Sequence, residues 1–431
     1  MTQPSAAAAP APVAAPAASG PAAPTPSALP VPTSSAASPK PRDTPRELRR
    51  LTTAVIALGL VFGLLGLSLF TLLTWSMQRA SAATAQTIRI QQIQTNLQRA
   101  DANATNAFLV GGLEPASQRA AYEESITAAS QLIAQAADAE PADQAALSAL
   151  NVELVDYTEN IELARANNRQ GFPIGAQYLR LASNGLRADA LPILQNLVDA
   201  NALRASSQMK VTIAIPIALI ELALLGGLVW AQLWLARRFK RRFNVPLVIG
   251  TAIGLASAIV TTVLIFWAGA SLATVREGNF ADVRAASNAR VAANDAKSNE
   301  SLTLIARGSG GAFQEAWQTS ADTVASEITR FRDLNTMWQP YVDVHTEIRA
   351  LDDGGQWDKA VKLATSESNT TFDAFDQSVT RLVDSSSAAT TAGLARLMPW
   401  MIVGALLAAA AGVSMAALAR RGVQQRLKEY R

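Results

Sequence analysis

The chain has 431 residues, 49% of them hydrophobic and only 16% charged, with no cysteine, one histidine and a formal net charge of +3. Without cysteine there are no disulfides and no thiolate metal sites, and a lone histidine excludes the usual His-based metal clusters. The small positive charge averages basic segments and acidic ones, so it is no sign of nucleic-acid binding.

Residues 1–45 are Pro, Ala, Ser and Thr with few bulky apolar side chains, and they hold 12 of the 20 prolines. Such a segment buries too little surface to offset its ordering entropy, which predicts a disordered, partly polyproline-like tail. Four apolar stretches free of Lys and Arg follow, at 51–75, 211–235, 246–268 and 399–418. Each is near the ~20 residues that a helix needs to cross a bilayer. The first begins too far along, and runs too long, for a signal-peptide core, so it is expected to be an anchor.

Between the stretches lie two long segments, 76–210 and 269–398, and one loop of ten residues, 236–245. The pieces 1–50, 236–245 and 419–431 together hold 15 basic and 3 acidic residues, whereas the two long segments hold 22 basic and 30 acidic. Basic residues flanking spans stay on the cytoplasmic side. The expectation is a multi-pass cell-membrane protein with both termini cytosolic, both long segments extracytoplasmic, and basic stubs facing anionic membrane lipid.

Both long segments show helical periodicity and no strand alternation. In the first, Ile90, Ile93, Leu97, Ala100, Ala104 and Ala107 recur at seam spacing, as do Leu147, Leu150, Leu154, Tyr157, Ile161 and Ala164. A third stripe runs through Leu186, Ala190, Ile193, Leu197 and Ala200. With breaks at Gly111-Gly112, Glu140-Pro141 and Gly171-Phe172-Pro173, this predicts four helices over roughly 76–110, 115–138, 141–168 and 173–210.

The second segment repeats the plan: Asp101-Ala102 has a counterpart in Asp295-Ala296, and Phe372, Phe375, Val379 and Leu382 form a late stripe. In the spans, Gly59-x-x-x-Gly63 and Gly250-x-x-x-Gly254 let helix backbones approach closely. The predicted fold is all-α: four transmembrane helices carrying two tandem antiparallel four-helix bundles, related by internal duplication.

Few residues carry chemistry. His345 sits on the stripe Trp338, Tyr341, His345, Ile348, an interior hydrogen-bonded position. Asp352-Asp353-Gly354-Gly355 with Asp358 lacks EF-hand spacing and is a polar turn. Gly308-Ser309-Gly310-Gly311 lies between helices and is no phosphate cradle. No nucleophile, nucleotide-binding or zinc-helix motif occurs, so neither an enzyme nor a cofactor is expected.

Glu221 lies mid-span, where a carboxylate is costly and marks function by default. It either bonds Thr71, Ser257 or Thr261 on neighbouring spans or serves proton or ion passage. Arg89, Arg99, Arg165, Arg180 and Arg187 offer guanidinium groups that could grip a carboxylate between helices, or simply a solvated face.

A helix leading out of a span, a four-helix bundle and a return span resemble the sensor domains of bacterial chemoreceptors. More narrowly, several motifs resemble the GlnX-type family of actinobacterial membrane proteins. They are Gln232-x-x-Leu235-x-Arg237-Arg238 with Arg241, Arg242 and Asn244; Asn168-Arg169-Gln170-Gly171-x-Pro173-x-Gly175; Trp338-x-x-Tyr341-x-x-x-His345; and the ending Gln425-Arg426-Leu427-x-Glu429-Tyr430-Arg431.

That resemblance implies a link between a GlnH-like extracytoplasmic lipoprotein, which binds glutamate and aspartate, and a PknG-like cytosolic Ser/Thr kinase. A second copy of the chain is a further candidate partner. Our own candidates for outer-partner binding are the distal turns at 111–115, 168–173, 307–311 and 352–357, through Gly111, Gly112, Arg169, Phe172, Pro173, Gly310, Asp353 and Trp357. Candidate output residues are Arg237, Arg238, Arg241, Arg242, Arg426 and Tyr430. The fourth helix of each bundle is expected to continue into its span and carry the signal. A transport accessory and a structural envelope scaffold are the alternative functions.

Overall fold

A computed structural model describes residues 44–110, 114–171, 173–212, 214–239 and 244–428. The described residues form helices and turns, with no strand among them. The first half contains α1 (Thr44–Val110), α2 (Ala116–Ala139), α3 (Gln144–Arg169), α4 (Ile174–Gly185), α5 (Leu191–Gln208) and α6 (Ala214–Phe239). The second contains α7 (Val245–Glu277), α8 (Asn279–Ile305), α9 (Gly311–Ile328), α10 (Arg332–Asp353), α11 (Trp357–Thr365) and α12 (Glu367–Lys428). Four of these helices are long and apolar enough to cross a membrane, in α1, α6, α7 and α12.

The predicted stripes form the core. Ile90, Ile93, Leu97, Ala100 and Ala104 of α1 pack with Leu147, Leu150, Leu154, Tyr157, Ile161 and Ala164 of α3. The third stripe is only partly right. Leu186, Ala190 and Leu197 are buried, but Leu194, Val198 and Asn201 also face inward while Ile193 and Ala200 are half-buried. The cause is a π turn at Leu186–Ala190. Pro192 follows it and cannot donate a backbone hydrogen bond, so the helix widens by one residue and the phase of every later side chain advances.

A second proline effect corrects the expected relay. The helix before the second apolar span does not continue into it: α5 ends at Gln208 and α6 begins at Ala214. Pro216 suits the first turn of a new helix but not the interior of a continuous one. Ser76 of α1 donates to the Gln208 carbonyl at 2.7 Å and so satisfies the terminus. By contrast, α12 runs unbroken from Glu367 to Lys428 despite Pro399.

In the apolar region α1 packs chiefly on α12. The contact is backbone to backbone. A Cβ placed on Gly63 would lie 2.8 Å from the Gly412 Cα, one on Gly59 2.9 Å from the Ala416 backbone nitrogen, and one on Gly66 2.6 Å from the Ala408 Cβ. The anticipated Gly59-x-x-x-Gly63 pair thus meets Ala408-x-x-x-Gly412-x-x-x-Ala416, a small-residue signal overlooked in the sequence. Gly250 and Gly254 also face α12, through Met415.

Outside the apolar region the two helical groups interlock through α1 and α8. Leu302 of α8 joins the core of the first half, and Leu109 of α1 packs with Leu304, Val344, Ile348 and Ala360 of the second. The seam is polar. Asp101 of α1 is fully buried and accepts from Ser183 (2.6 Å), Ser298 (2.5 Å) and Arg187 (3.4 Å).

The same Arg187 donates to Asp295 at 2.7 Å, and Ser320 donates to the other oxygen of that carboxylate at 2.7 Å. One guanidinium therefore ties together the two aspartates that the internal comparison of the halves had paired. Asp101 and Asp295 hold Arg187 above its ordinary value against the opposing effect of its burial. Arg187→Met should destabilise the chain by about 1.5–3 kcal/mol, the worth of charge-assisted hydrogen bonds. A thermal melt of the purified protein checks this; an unchanged midpoint would show that the seam does not hold the halves together.

Candidate functional site

α1 ends at Val110 and α8 at Ile305, and the other candidate turns join α3 to α4 and α10 to α11. Gly111, Gly112 and Phe172 fall outside the described residues. The others divide into two kinds. Gly310 is structural, because a Cβ there would lie 2.6 Å from the Thr303 carbonyl oxygen. Trp357 donates from its indole to the Leu304 carbonyl at 2.9 Å and lies under the Arg307 guanidinium at 3.9 Å, so it clamps α11 to α8. Asp353 is paired with Arg349 at 2.5 Å. Arg169 and Pro173 remain exposed, and Arg169 makes no ion pair or hydrogen bond among the described residues.

Arg169 stands at the rim of a cavity of about 420 Å³ between α1, α2 and α3. Its walls include Ala104, Phe108, Arg119 and Arg165. Arg165 is already engaged: it donates to Glu114 at 2.9 Å and Glu162 at 2.8 Å and lies 4.0 Å over the Tyr122 ring. Arg119 pairs with Glu123 at 2.5 Å. The inner cations are therefore neutralised, and the free charge sits outermost, where a large partner reaches it more easily than a solute enclosed by the helices.

Of the other arginines considered, Arg89 donates to Gln86 at 2.6 Å and Arg180 to the Ala176 carbonyl at 3.3 Å, both local contacts. His345 takes the interior position that its spacing predicts. Its Nδ1 lies 3.0 Å from a Glu300 oxygen and Nε2 3.1 Å from the Gln314 side-chain oxygen, with the ring stacked on Trp317 at 3.6 Å.

Glu300 is the centre of a buried ionic cluster. One oxygen accepts from Lys297 at 2.7 Å and Ser368 at 2.7 Å, the other from His345. Burial alone would raise its carboxyl, but the Lys297 ammonium and the His345 contact outweigh burial and hold it down at about 2. Lys297 spends its remaining donors on the Ala364 carbonyl and Ser368. The cluster is closed and joins α8, α10 and α12. The sequence offered no sign of Glu300, because no periodicity marks a buried charge.

Glu221 is buried, 3% exposed, beside Gly66. The expected hydroxyl partners are not engaged: Thr71 bonds back to the Leu67 carbonyl, and Glu221 makes no hydrogen bond among the described residues. It lines an open, largely apolar groove between α6 and α7.

At the opposite end, the motif residues Gln232 and Asn244 close the short connection. Gln232 donates to the Leu247 carbonyl at 3.0 Å and to Thr251 Oγ1; Asn244 donates to the Gly422 carbonyl of α12 at 2.9 Å. Arg237 is exposed at the end of α6. The side chains of Arg238 and Arg426, and Arg241, Arg242 and Tyr430 altogether, lie outside the described residues.

Residues 76–210 match the family model of the actinobacterial sensor domain. No curated protein and no solved structure matches the chain. The matched region runs from the middle of α1 to just past the end of α5, with the same bounds as the first predicted bundle. Its similarity to that family, joined to four apolar helices of membrane-crossing length, supports a sensor-type protein with a sensing or signalling role.

Proposed function

We propose that the chain is a transmembrane adaptor. It senses an extracytoplasmic solute-binding lipoprotein of the GlnH type and relays its state to a cytosolic Ser/Thr kinase of the PknG type. Both helical groups stand outside the cell as tandem four-helix bundles of common origin, and the basic stubs lie in the cytosol, as the charge distribution favours.

One observation carries the relay: α1 and α12 are single helices of 67 and 62 residues, packed together through their small residues. Each is therefore a rod of about 90–100 Å, from the outer helical group to a basic end. The end of α5 at Gln208 removes α5 and α6 from this role, so the signal travels in α12 against α1. The Asn244–Gly422 bond then delivers movement of α12 to the loop at 236–245.

A docking event drives this only if the partner binds one packing of the rods better than another. Arg169 is the exposed, unengaged cation on the docking face. Deleting 168–173 should abolish binding of the outer lipoprotein to the purified chain in nanodiscs. Retained binding would remove that turn from the interface.

A further inference from the structure

A cleft of about 570 Å³ lies between the two helical groups, walled by α1, α2, α8 and α12. Its size falls in the range of small-molecule pockets. Its polar groups are incompletely satisfied, in a pattern that selects a ligand.

Arg99 of α1 is half-buried in the wall, yet makes no ion pair or hydrogen bond among the described residues. Lys297, the neighbouring cation, is fully spent on Glu300, Ser368 and the Ala364 carbonyl. Asp373 of α12 lines the same cleft; it is attracted electrostatically by Arg99 and Lys297 but makes no hydrogen bond or close ion pair among the described residues. Desolvation, then repulsion from Asp376, raises its carboxyl.

Two acceptors also lack donors. Asn294 is 0% exposed, donates its amide to the Arg290 carbonyl at 2.9 Å, and leaves Oδ1 unbonded. Gln118 donates to Asn106 at 2.6 Å and leaves Oε1 unbonded. Both oxygens are closed off from solvent, so the groups a ligand in the cleft can reach are Arg99 and Asp373, which call for an anion and a cation.

These demands exclude most ligand classes. A dicarboxylate would answer Arg99 but meet the like charge of Asp373. A neutral sugar would leave Arg99 unpaired. A metal ion finds no cluster of ligands among the described residues. A small molecule with both a carboxylate and an ammonium group answers all of them.

We infer that this cleft binds a free amino-acid zwitterion directly, its carboxylate on Arg99 and its ammonium directed to Asp373. Such a ligand bridges α1 and α12, the two helices that run unbroken to the basic ends. The binding assignment stands on the cleft's own groups; only its link to signalling rests on the proposed relay.

The test is calorimetric titration of the full chain in nanodiscs with L-serine, L-asparagine and L-glutamate. Glutarate, which lacks the ammonium group, and butylamine, which lacks the carboxylate, are the controls. At least one amino acid should bind, with both controls at least about tenfold weaker. Arg99→Met and Asp373→Asn should each weaken binding about ten- to hundredfold, the worth of one charge-assisted contact, with the helical circular dichroism unchanged.

Absence of binding by all three amino acids at millimolar concentration would overturn the inference. So would glutarate binding as tightly as the amino acids, or binding indifferent to both substitutions. No residue of 168–173 lines the cleft, and the titration uses the undeleted chain, so a failure of lipoprotein docking and a failure of this titration are separable.

Discussion

Gly412→Leu should drive α1 and α12 apart and produce the largest loss of stability of any single substitution in the apolar region. A Cβ at this position would lie 2.5 Å from the Gly63 Cα and 2.9 Å from the Gly59 carbonyl oxygen. The obstacle is backbone, which cannot rotate away as a side chain would. The cost should therefore exceed the about 1–3 kcal/mol usual for an overpacked core.

Between helices in lipid, close backbone approach is itself the source of affinity, so the lost contact is not replaced by a hydrophobic gain. Gly226→Leu is the matched control: it lies in α6, another apolar helix, and a Cβ there meets nothing within 4 Å. It should change stability by no more than about 0.5 kcal/mol. Thermal melts of the two variants in the same detergent give the comparison, and equal midpoints would refute the α1–α12 packing.

Glu300→Gln should be nearly as damaging, for an electrostatic reason. It leaves the Lys297 ammonium, whose side chain is 4% exposed, without its counter-charge. Breaking a buried pair by removing one partner costs about 3–5 kcal/mol. The pH dependence provides a second readout.

In the folded chain the Glu300 carboxyl lies at about 2, below the ordinary 4.5. A depressed carboxyl contributes stability that is fully present above the unfolded value and is lost as pH falls through the folded one. Between pH 5 and 2 the wild-type chain should thus lose about 3 kcal/mol through this group. The variant should lack that part of the acid limb. A variant as acid-sensitive as wild type, and as stable at pH 7, would mean that the cluster is not formed.

Much of the helical plan was legible from the residues alone. The 3-4 spacing of Ile90, Ile93, Leu97 and Ala100, and of Leu147 through Ala164, marks faces that are in fact buried, because a helix presents every third or fourth side chain to one side. The breaks at Glu140-Pro141 and Gly171 fall where the helices end, since proline and a glycine at φ +73° terminate them.

Prolines inside otherwise periodic stretches had opposite outcomes. Pro399 left α12 intact, while Pro192 and Pro216 shifted the phase of one helix and ended its continuity with the next. The outcome depends on neighbours that can hold a strained or unpaired backbone group, as Ser76 does for Gln208.

The candidate sites were less legible. Trp357 and Gly310 stand on a distal turn, as an interaction surface would, yet each is used internally. Gln91, Gln94, Gln98 and Asp101 occupy the polar side of α1 and look like a solvated face, but all four are buried. Polarity reports what a side chain tolerates, and a second polar helix satisfies it as well as water does.

The sequence by itself determined the helical class, the four apolar spans and the asymmetry of charge. Those properties depend on local periodicity and on the summed hydropathy of neighbours along the chain. Only the tertiary structure decided that α1 packs on both α8 and α12, that Arg187 joins Asp101 to Asp295, and that Arg99 is left facing Asp373 across a cleft. Each of these relations pairs residues more than eighty positions apart, and such pairs are selected by the shape and polarity of whole helix faces, which no single stretch of chain contains.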